Sequence, residues 1–296
     1  SLLESVDTSY VTKRVVVSAG TLGSTELLLR CKEVFGTLPR LSPRLGQQFS
    51  GNGDFLSFVM QGTQASNPNY GPVITQRTDF NLFKNFDRDR AFVLEDASYP
   101  HLLAWFIEGI KPSIMRSRGL KRAILSLWQR FKRYRGGSVG AALRETLTDD
   151  VSYDTNVLLC MGLDRADGEM RLRGGRLDVR WKMKSAAKLY QAILDAGRAF
   201  KAKVKAGCFI PLPTWKAKHN VTVHPLGGCV LGDTPATGVT SAARANFGQV
   251  FNYQGLYVAD GALIPTAVGA NPTATISALC EMVAEGITGQ VPDAKL

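Results

Sequence analysis

The sequence predicts a mixed α/β fold, in which a parallel α/β layer is combined with a mixed or antiparallel β-sheet covered by helices. Near the start of the chain, a continuous apolar strand runs directly into a glycine turn and a helix. The middle of the chain contains several short strand patterns separated by turns, and an amphipathic helix follows them. A chain of 296 residues with 45% apolar composition can also bury the core that such a fold needs.

The first element is a buried strand within the segment KRVVVSA, residues 13–19, because Val15, Val16 and Val17 form an unbroken apolar run. The chain then passes through Gly20 into TLGSTELLLR, whose leucines suit a short helix. A strand, a glycine turn and a helix in this order are typical of an α/β layer.

The middle of the chain predicts a sheet with irregular loops. Strand patterns occur at 55–60, 73–76, 91–95, 156–162 and, around a glycine turn, 168–181. Residues 100–135 are helical in composition, and residues 185–204 repeat apolar side chains at helical spacing. After loop-rich sequence we expect a strand at 255–259 and a closing helix at 273–286.

The number and spacing of the cysteines and the first residues of the chain limit the classes of protein that the sequence can represent. Five widely spaced cysteines without a CxxC pair favour buried reduced thiols over a disulfide framework or a zinc site. No uncharged apolar run reaches the roughly 18 residues of a conventional transmembrane helix, and the first residues lack the pattern of a signal peptide. The chain begins as though in mid-strand, so we expect an upstream portion on the same or another polypeptide.

Three segments near the C terminus carry the candidate chemistry. The last of them along the chain is VGANPTATISALCEMVAEGI, in which Asn271 and Pro272 precede a run of good helix formers. The N terminus of a helix presents unpaired N–H groups and partial positive charge, which suit a ligand with negative charge. The alternative is that Asn271 only caps the helix.

The other two segments are GLYVADGALIP and VTVHPLGGCVLG. The first is a strand that ends in Asp260–Gly261, and strand ends in α/β sheets are where ligands bind, although Asp-Gly turns occur in any fold. The second contains His224, which the following Pro225 restricts to extended backbone. Imidazole is the natural acceptor of a hydroxyl proton at neutral pH, but a lone histidine can also be a satisfied core residue.

Taken together, HPLGGC, YVADG and NPTATISAL, in this order and spacing, resemble the C-terminal signature of the glucose–methanol–choline (GMC) oxidoreductase family, cholesterol-oxidase-like branch. RVVVSAGTLGSTELLLR and FSGNGD are also similar to that family. The resemblance implies parts of a Rossmann-like FAD-binding domain at 1–54 and 221–296, the latter with the active-site residues. It implies a substrate-binding domain at 55–220.

The resemblance implies a role for each matching residue. His224 matches the active-site histidine and Asn271 its partner, and together they would hold an alcohol hydroxyl beside the flavin. Asp154 corresponds loosely to the glutamate that isomerises the steroid double bond in cholesterol oxidases; a solvated loop acid is the alternative. The positions that match residues lining FAD are Ala19, Gly20, Asp260, Gly261, Asn271, Pro272 and Thr273.

One family feature has no counterpart in this sequence. GMC oxidoreductases bind the FAD pyrophosphate with a GxGxxG turn, and neither GNGDFL nor GTLGST fits that pattern. We therefore expect the missing N-terminal half, on the same or a separate polypeptide, to complete the site, and we expect the isolated chain to bind FAD poorly.

The net charge of +11 is concentrated in residues 114–135, which contain eight lysines and arginines and no acid. Apolar residues recur there at helical spacing, which is typical of a helix in a membrane interface. An ordinary surface helix is the equal alternative, and nucleic acid is a third, disfavoured because no recognition module is present. The function hypotheses are an FAD-dependent oxidation of an apolar alcohol, with sterol favoured, and a non-catalytic subunit that binds lipid or a partner chain.

Overall fold

The structure is a computed structural model that describes residues 9–63, 71–98, 155–212, 214–215 and 219–289. Three α-helices occur within these residues: α1 (Gly20–Glu33), α2 (Ala187–Lys203) and α3 (Thr273–Thr288). The strands of the same residues are, in chain order, β1 (Val15–Val17), β2 (Gln47–Phe49), β3 (Phe55–Met60), β4 (Arg77–Phe80), β5 (Phe92–Ala97), β6 (Asn156–Gly162), β7 (Gly168–Arg173), β8 (Arg176–Arg180), β9 (Cys208–Pro211), β10 (Leu231–Gly232), β11 (Thr240–Ser241) and β12 (Leu256–Val258).

The first and last parts of the described chain meet in a parallel strand pair. β1 pairs with β12, with Val17 opposite Val258, and α1 follows β1 directly. Val17 and Val258 are buried in one hydrophobic core together with side chains of α1 and α3. Val15 and Val16 are 47% and 48% exposed, although strands of parallel layers normally bury both faces.

The middle of the chain forms a five-stranded antiparallel sheet in the order β4-β5-β6-β3-β9. α2 packs on one face of this sheet, because Leu189, Tyr190 and Ile193 repeat along its buried side. These three side chains join Phe55 and Cys160 of the sheet in a second hydrophobic core. The mixed α/β fold is thereby confirmed, with the parallel and antiparallel layers built from different parts of the chain.

The opposite face of the same sheet is also apolar. Directly paired residues of antiparallel strands point to the same face, so Glu95, Leu159 and Leu56 share one row. A small third core lies on this face, around Phe58 and Val157. On this face Glu95 is buried, whereas Leu56 and Leu159 are half-buried. Burying a carboxylate among apolar side chains is energetically costly unless it has a partner. Glu95 therefore makes this face of the sheet a candidate for a functional site.

Most predicted elements within the described residues are confirmed, and the differences concern short strands. The strand predicted at 73–76 lies instead at Arg77–Phe80, where it pairs with β5. β9 was predicted as loop, because its four residues do not alternate between apolar and polar side chains. They form a strand because they pair with β3. The helix predicted at 100–135 lies outside the described residues. Within the described residues, none of the helices has the length and apolarity to cross a membrane.

No disulfide joins the five cysteines, all of which lie in the described residues; burial was predicted for all of them, but Cys31, Cys208 and Cys280 are only partly buried. Cys160 and Cys229 are fully buried, and burial raises the pKa of the Cys229 thiol to about 12, with a hydrogen bond from Thr25 acting in the opposite direction. Neither of these two thiols is therefore a reactive nucleophile at neutral pH.

Candidate active site

The site is organised by the turn Ser50–Asp54, which leads into β3. Gly53 adopts a φ of +61°, and a Cβ there would lie 2.3 Å from the carbonyl oxygen of Gly162, so the turn requires glycine. Asp164 holds the turn in place: its carboxylate accepts from the Ser50 hydroxyl and from the N–H groups of Gly51 and Gly53. The turn is thereby fixed on the end of the five-stranded sheet.

Asp54, the last residue of this turn, binds His224. The His224 Nδ1 atom lies 3.0 Å from Asp54 Oδ1 and 3.1 Å from Oδ2. Asp54 is 1% exposed, whereas the His224 side chain is 18% exposed and therefore reaches the surface of the described structure. The same carboxylate accepts from the N–H groups of Val223 and His224.

Asn52, two residues earlier in the same turn, holds the segment that precedes α3. Its side-chain oxygen accepts from the N–H groups of Val268 and Gly269 at 2.8 and 2.9 Å. Its amide nitrogen donates to the carbonyl of Ala270 at 2.8 Å. The turn therefore positions both His224, through Asp54, and the segment that ends in Asn271, through Asn52.

Asn271 does not cap α3, which resolves the alternative left open by the sequence. Its amide nitrogen lies 3.3 Å from both carboxylate oxygens of Glu95, and the α3 N terminus has no side-chain cap. Glu95 is 2% exposed, and Asn271 is exposed. A buried carboxylate of the sheet thus directs the Asn271 carboxamide away from its own helix.

The two carboxylates lie near one buried thiol. Burial raises the pKa of the Cys160 thiol, and the negative charges of Asp54 and Glu95 raise it further. Cys160 on β6 stands between Phe55 and Leu94, which directly follow Asp54 and precede Glu95 along their strands. The His224–Asp54 pair and the Asn271–Glu95 pair are therefore assembled at one region of the same sheet.

Four of the candidate cofactor residues, Ala19, Gly20, Asp260 and Gly261, follow the carboxyl ends of the paired strands β1 and β12. Ser24 of α1 joins them, because its hydroxyl accepts from the Ala19 N–H at 2.9 Å and donates to the Asp260 carboxylate. The other oxygen of Asp260 accepts from the N–H of Ala262 at 2.8 Å. Strand ends of a parallel layer are where nucleotide ligands bind, so this junction has the expected location for one.

The residues at this junction fit a flavin nucleotide. Gly20 has a φ of +75° and no atom within 4 Å of a Cβ position, so open space adjoins its backbone. The 16-residue α3 begins at Thr273, after Pro272, without a side-chain cap. Its first N–H groups can therefore donate to the electron-rich edge of a bound ring. Unpaired N–H groups at the start of a helix, next to a strand end with glycine, are typical donors to a bound anion.

The HPLGGC segment connects these two regions. The Thr21 hydroxyl donates to the carbonyl of Pro225 at 2.7 Å, which joins the start of α1 to the residue after His224. The N–H of Gly227 donates to the carbonyl of Gly261 at 3.1 Å. His224 thus stands between the cofactor junction and the sheet that carries Asp54.

Two carboxylates of this site were not predicted. Asp54 belongs to the GNGD turn, whose aspartate was not assigned a role, and Glu95 is a charged residue inside the apolar strand FVLEDA, which is the signal that could have revealed it. Asp154, which was predicted to be catalytic, lies outside the described residues. The catalytic roles of His224 and Asn271 remain predictions.

Comparison with known proteins places these observations in a family context. Residues 164–280 match the C-terminal family model of GMC oxidoreductase. The chain is 26% identical to a cholesterol oxidase of Acinetobacter baumannii over 279 residues, which are 91% of this chain and 46% of that protein. It is also 26% identical to a Mycobacterium tuberculosis cholesterol oxidase, over 93% of this chain and 46% of that protein.

Two solved structures share the fold. Pyridoxine 4-oxidase from Mesorbium loti superimposes with a TM-score of 0.53 at 14% identity, over 94% of this chain and 52% of that one. Formate oxidase of Aspergillus oryzae RIB40, from a study of FAD modification, superimposes with a TM-score of 0.57 at 13% identity, over 95% and 55% of the two chains. The chain spans about half the length of the relatives that it matches.

Proposed function

We propose that this chain forms the substrate side of an enzyme that oxidises an apolar alcohol with FAD, because residues 164–280 match the C-terminal family model of GMC oxidoreductase. The CH–OH group of a sterol or a long-chain alcohol is the favoured donor. The observation that carries the proposal is that one turn, Ser50–Asp54, contacts both His224 and the segment leading to Asn271. A candidate proton acceptor and a candidate hydrogen-bonding partner are thereby attached to the same support.

Bound FAD would supply the acceptor for the hydride of the alcohol carbon, and the residues of this chain serve the oxygen side of the reaction. His224 takes the hydroxyl proton through Nε2, because Nδ1 faces Asp54. Asn271, whose amide is directed by Glu95, orients the same hydroxyl. The residues that would hold the cofactor are Ala19, Gly20, Asp260, Gly261, Asn271, Pro272 and Thr273.

The proposed substrate class is supported by the face of the sheet on which Glu95 lies. Leu56 and Leu159 stand in the same row as Glu95, and both are half-buried. Ile210 and Leu212 extend this apolar surface at the edge of the sheet. An apolar surface beside the proposed catalytic pair favours a substrate whose hydroxyl is attached to a hydrocarbon body. Glu95 is a strand carboxylate beside this apolar surface. The sequence analysis considered only Asp154 for a carboxylate in such a position.

The apolar exposure of β1 supports the proposed partner, an N-terminal half with the dinucleotide-binding turn. Within the described residues β1 pairs with β12 alone, so its other edge is open. Val15 and Val16 are about half exposed, and Met282 of α3 is also exposed. An open strand edge flanked by apolar side chains is a template for further pairing, and further strands of the FAD-binding domain would cover it.

Anaerobic reduction of the flavin tests the function. The chain is combined with the N-terminal half and FAD, freed of unbound flavin, and mixed with sterols, long-chain alcohols and short polar alcohols. We expect the flavin absorbance to bleach with the apolar alcohols, and we expect the chain alone to retain little FAD. Absence of bleaching with every alcohol would favour the second candidate, a non-catalytic subunit that binds lipid or a partner.

We further propose an anionic membrane surface as a partner of residues 114–135, which lie outside the described residues. Each cationic residue near such a surface contributes about 1 kcal/mol. Changing Arg130, Lys132, Arg133 and Arg135 to Glu should weaken binding to anionic vesicles by at least about tenfold in a sedimentation assay. The matched control reverses four lysines elsewhere, Lys182, Lys184, Lys203 and Lys205, and equal losses in both variants would argue against a specific surface.

A further inference from the structure

We propose that Asp54 is a positioning residue that keeps the neutral His224 ring protonated on Nδ1, so that Nε2 is always the proton acceptor. The inference rests on the proposed function, in which His224 takes the hydroxyl proton. It concerns a residue outside the three C-terminal motifs, 170 positions before His224 along the chain. The contacts of the Asp54 carboxylate carry the argument.

A carboxylate accepts hydrogen bonds and donates none, so Asp54 acts as the acceptor toward His224. Its Oδ2 atom already accepts from the Thr222 hydroxyl at 2.9 Å, from the Val223 N–H at 2.8 Å and from the His224 N–H at 3.2 Å. An oxygen with this many donors around it has no free direction for a proton of its own. The other carboxylate oxygen, Oδ1, lies 3.0 Å from Nδ1 of His224. A hydrogen bond at this contact therefore needs the proton on Nδ1.

The two nitrogens of a neutral imidazole have complementary roles, since one carries the proton and the other has a lone pair. With the proton held between Nδ1 and Asp54, the lone pair is on Nε2, at the far side of the ring from the carboxylate. When Nε2 accepts a proton from substrate, both nitrogens become donors, and Nδ1 keeps its bond to Asp54. The pair can thus accept and release a proton without any rearrangement of the ring.

The position of Asp54 also fixes the ring in space. Asp54 is buried, it directly precedes β3, and its backbone carbonyl accepts from the Asn220 amide at 2.6 Å. The carboxylate is therefore anchored from both sides, by the sheet and by the segment that leads to His224. A rigidly held acceptor limits rotation of the imidazole about its side-chain bonds, and correct orientation is a large part of catalysis by a positioned group.

The tautomer of His224 can be observed directly, because the chain has only three histidines. This chain is labelled with ¹⁵N-histidine and combined with the unlabelled N-terminal half and FAD, and long-range ¹H–¹⁵N spectra then distinguish a protonated Nδ1 from a protonated Nε2. The His224→Asn variant assigns the His224 signals. We expect the Nδ1-protonated form in the native protein, and a signal from protonated Nε2 in its place would overturn the inference whatever the variants show.

Asp54→Asn then separates positioning from structure. An amide presents either an oxygen or an NH₂ group to Nδ1, so the signals should show a mixture of tautomers. The rate of flavin reduction should fall by about 10- to 100-fold with KM nearly unchanged, as for other groups that orient a histidine. Asp54→Asn with the native tautomer and the native rate would contradict the proposal, even if His224→Asn is inactive.

Two further variants distinguish this effect from loss of folding. Thr222→Val removes one donor to Asp54 and leaves the Asp54–His224 contact, so it should retain the Nδ1-protonated form. Asp96→Asn removes a carboxylate of the same sheet that accepts from Thr75 and Gln76, and it should retain both tautomer and rate. A mixture of tautomers in the Asp96→Asn variant would show that the signal reports general loosening of the sheet and would overturn the proposal.

Discussion

His224→Asn is expected to slow the reduction of the flavin by an alcohol by about 100- to 10,000-fold, which is the typical contribution of a positioned acid or base. Asparagine keeps a polar side chain of similar size, but it cannot take a proton at neutral pH. FAD binding should be unchanged, because the candidate cofactor contacts lie at Ala19–Gly20, Asp260–Gly261 and the start of α3. Stopped-flow measurement of flavin bleaching under anaerobic conditions gives the rate.

His219→Asn is the matched control, because His219 is an exposed histidine five residues upstream. It should retain the native rate. A His224→Asn variant that reduces flavin as fast as the native protein would remove His224 as the base. Such a result would leave the family relationship intact and would move the search for the proton acceptor to Glu95 and the residues outside the described ranges.

Asp164→Ala should lower the free energy of unfolding by about 3–5 kcal/mol, because buried donors that lose their acceptor each cost about 1–3 kcal/mol. The carboxylate is 2% exposed and accepts from the side chains of Ser50 and Trp181. It also accepts from the N–H groups of Gly51, Gly53 and Ala166. Urea unfolding followed by tryptophan fluorescence measures the change in the midpoint.

Asp195→Asn is the control for this second variant. Asp195 is a largely exposed carboxylate on α2, and its loss should change stability by no more than about 0.5 kcal/mol. Asp164→Asn, which retains one acceptor oxygen, should fall between the two. If Asp164→Ala were as stable as the native chain, the Ser50–Asp54 turn would not depend on this carboxylate, and the account of how the site is assembled would be wrong.

Local pattern was sufficient for much of the fold. The hairpin β7–β8 was predicted because Gly174 and Gly175 interrupt a strand pattern, and α2 because its apolar residues follow helical spacing. β9 could not be predicted in this way. Its conformation depends on hydrogen bonds to β3, which is separated from it by about 150 residues of chain, and no local signal reports such a partner.

The candidate site likewise contains some residues that local pattern predicted and others whose roles depend on distant partners. His224 and Asn271 were found because each stands in a motif with backbone consequences, a following proline in both cases. Asp54 and Glu95 were not found, since an aspartate in a glycine-rich turn and a glutamate in a strand have many ordinary explanations. Their roles follow from the groups that they contact, and those groups lie 170 and 176 positions away in sequence.

Periodicity, turn residues and short motifs are local in the chain, so the fold class, most of the helices and strands, and the similarity to GMC oxidoreductases could be predicted from the amino-acid sequence alone. The contact of Asp54 with His224 and the contact of Glu95 with Asn271 became visible only in the three-dimensional fold. The physical reason is that hydrogen bonds and burial act over a few ångströms in space without regard to separation along the chain. The single turn Ser50–Asp54 brings these distant segments within that range.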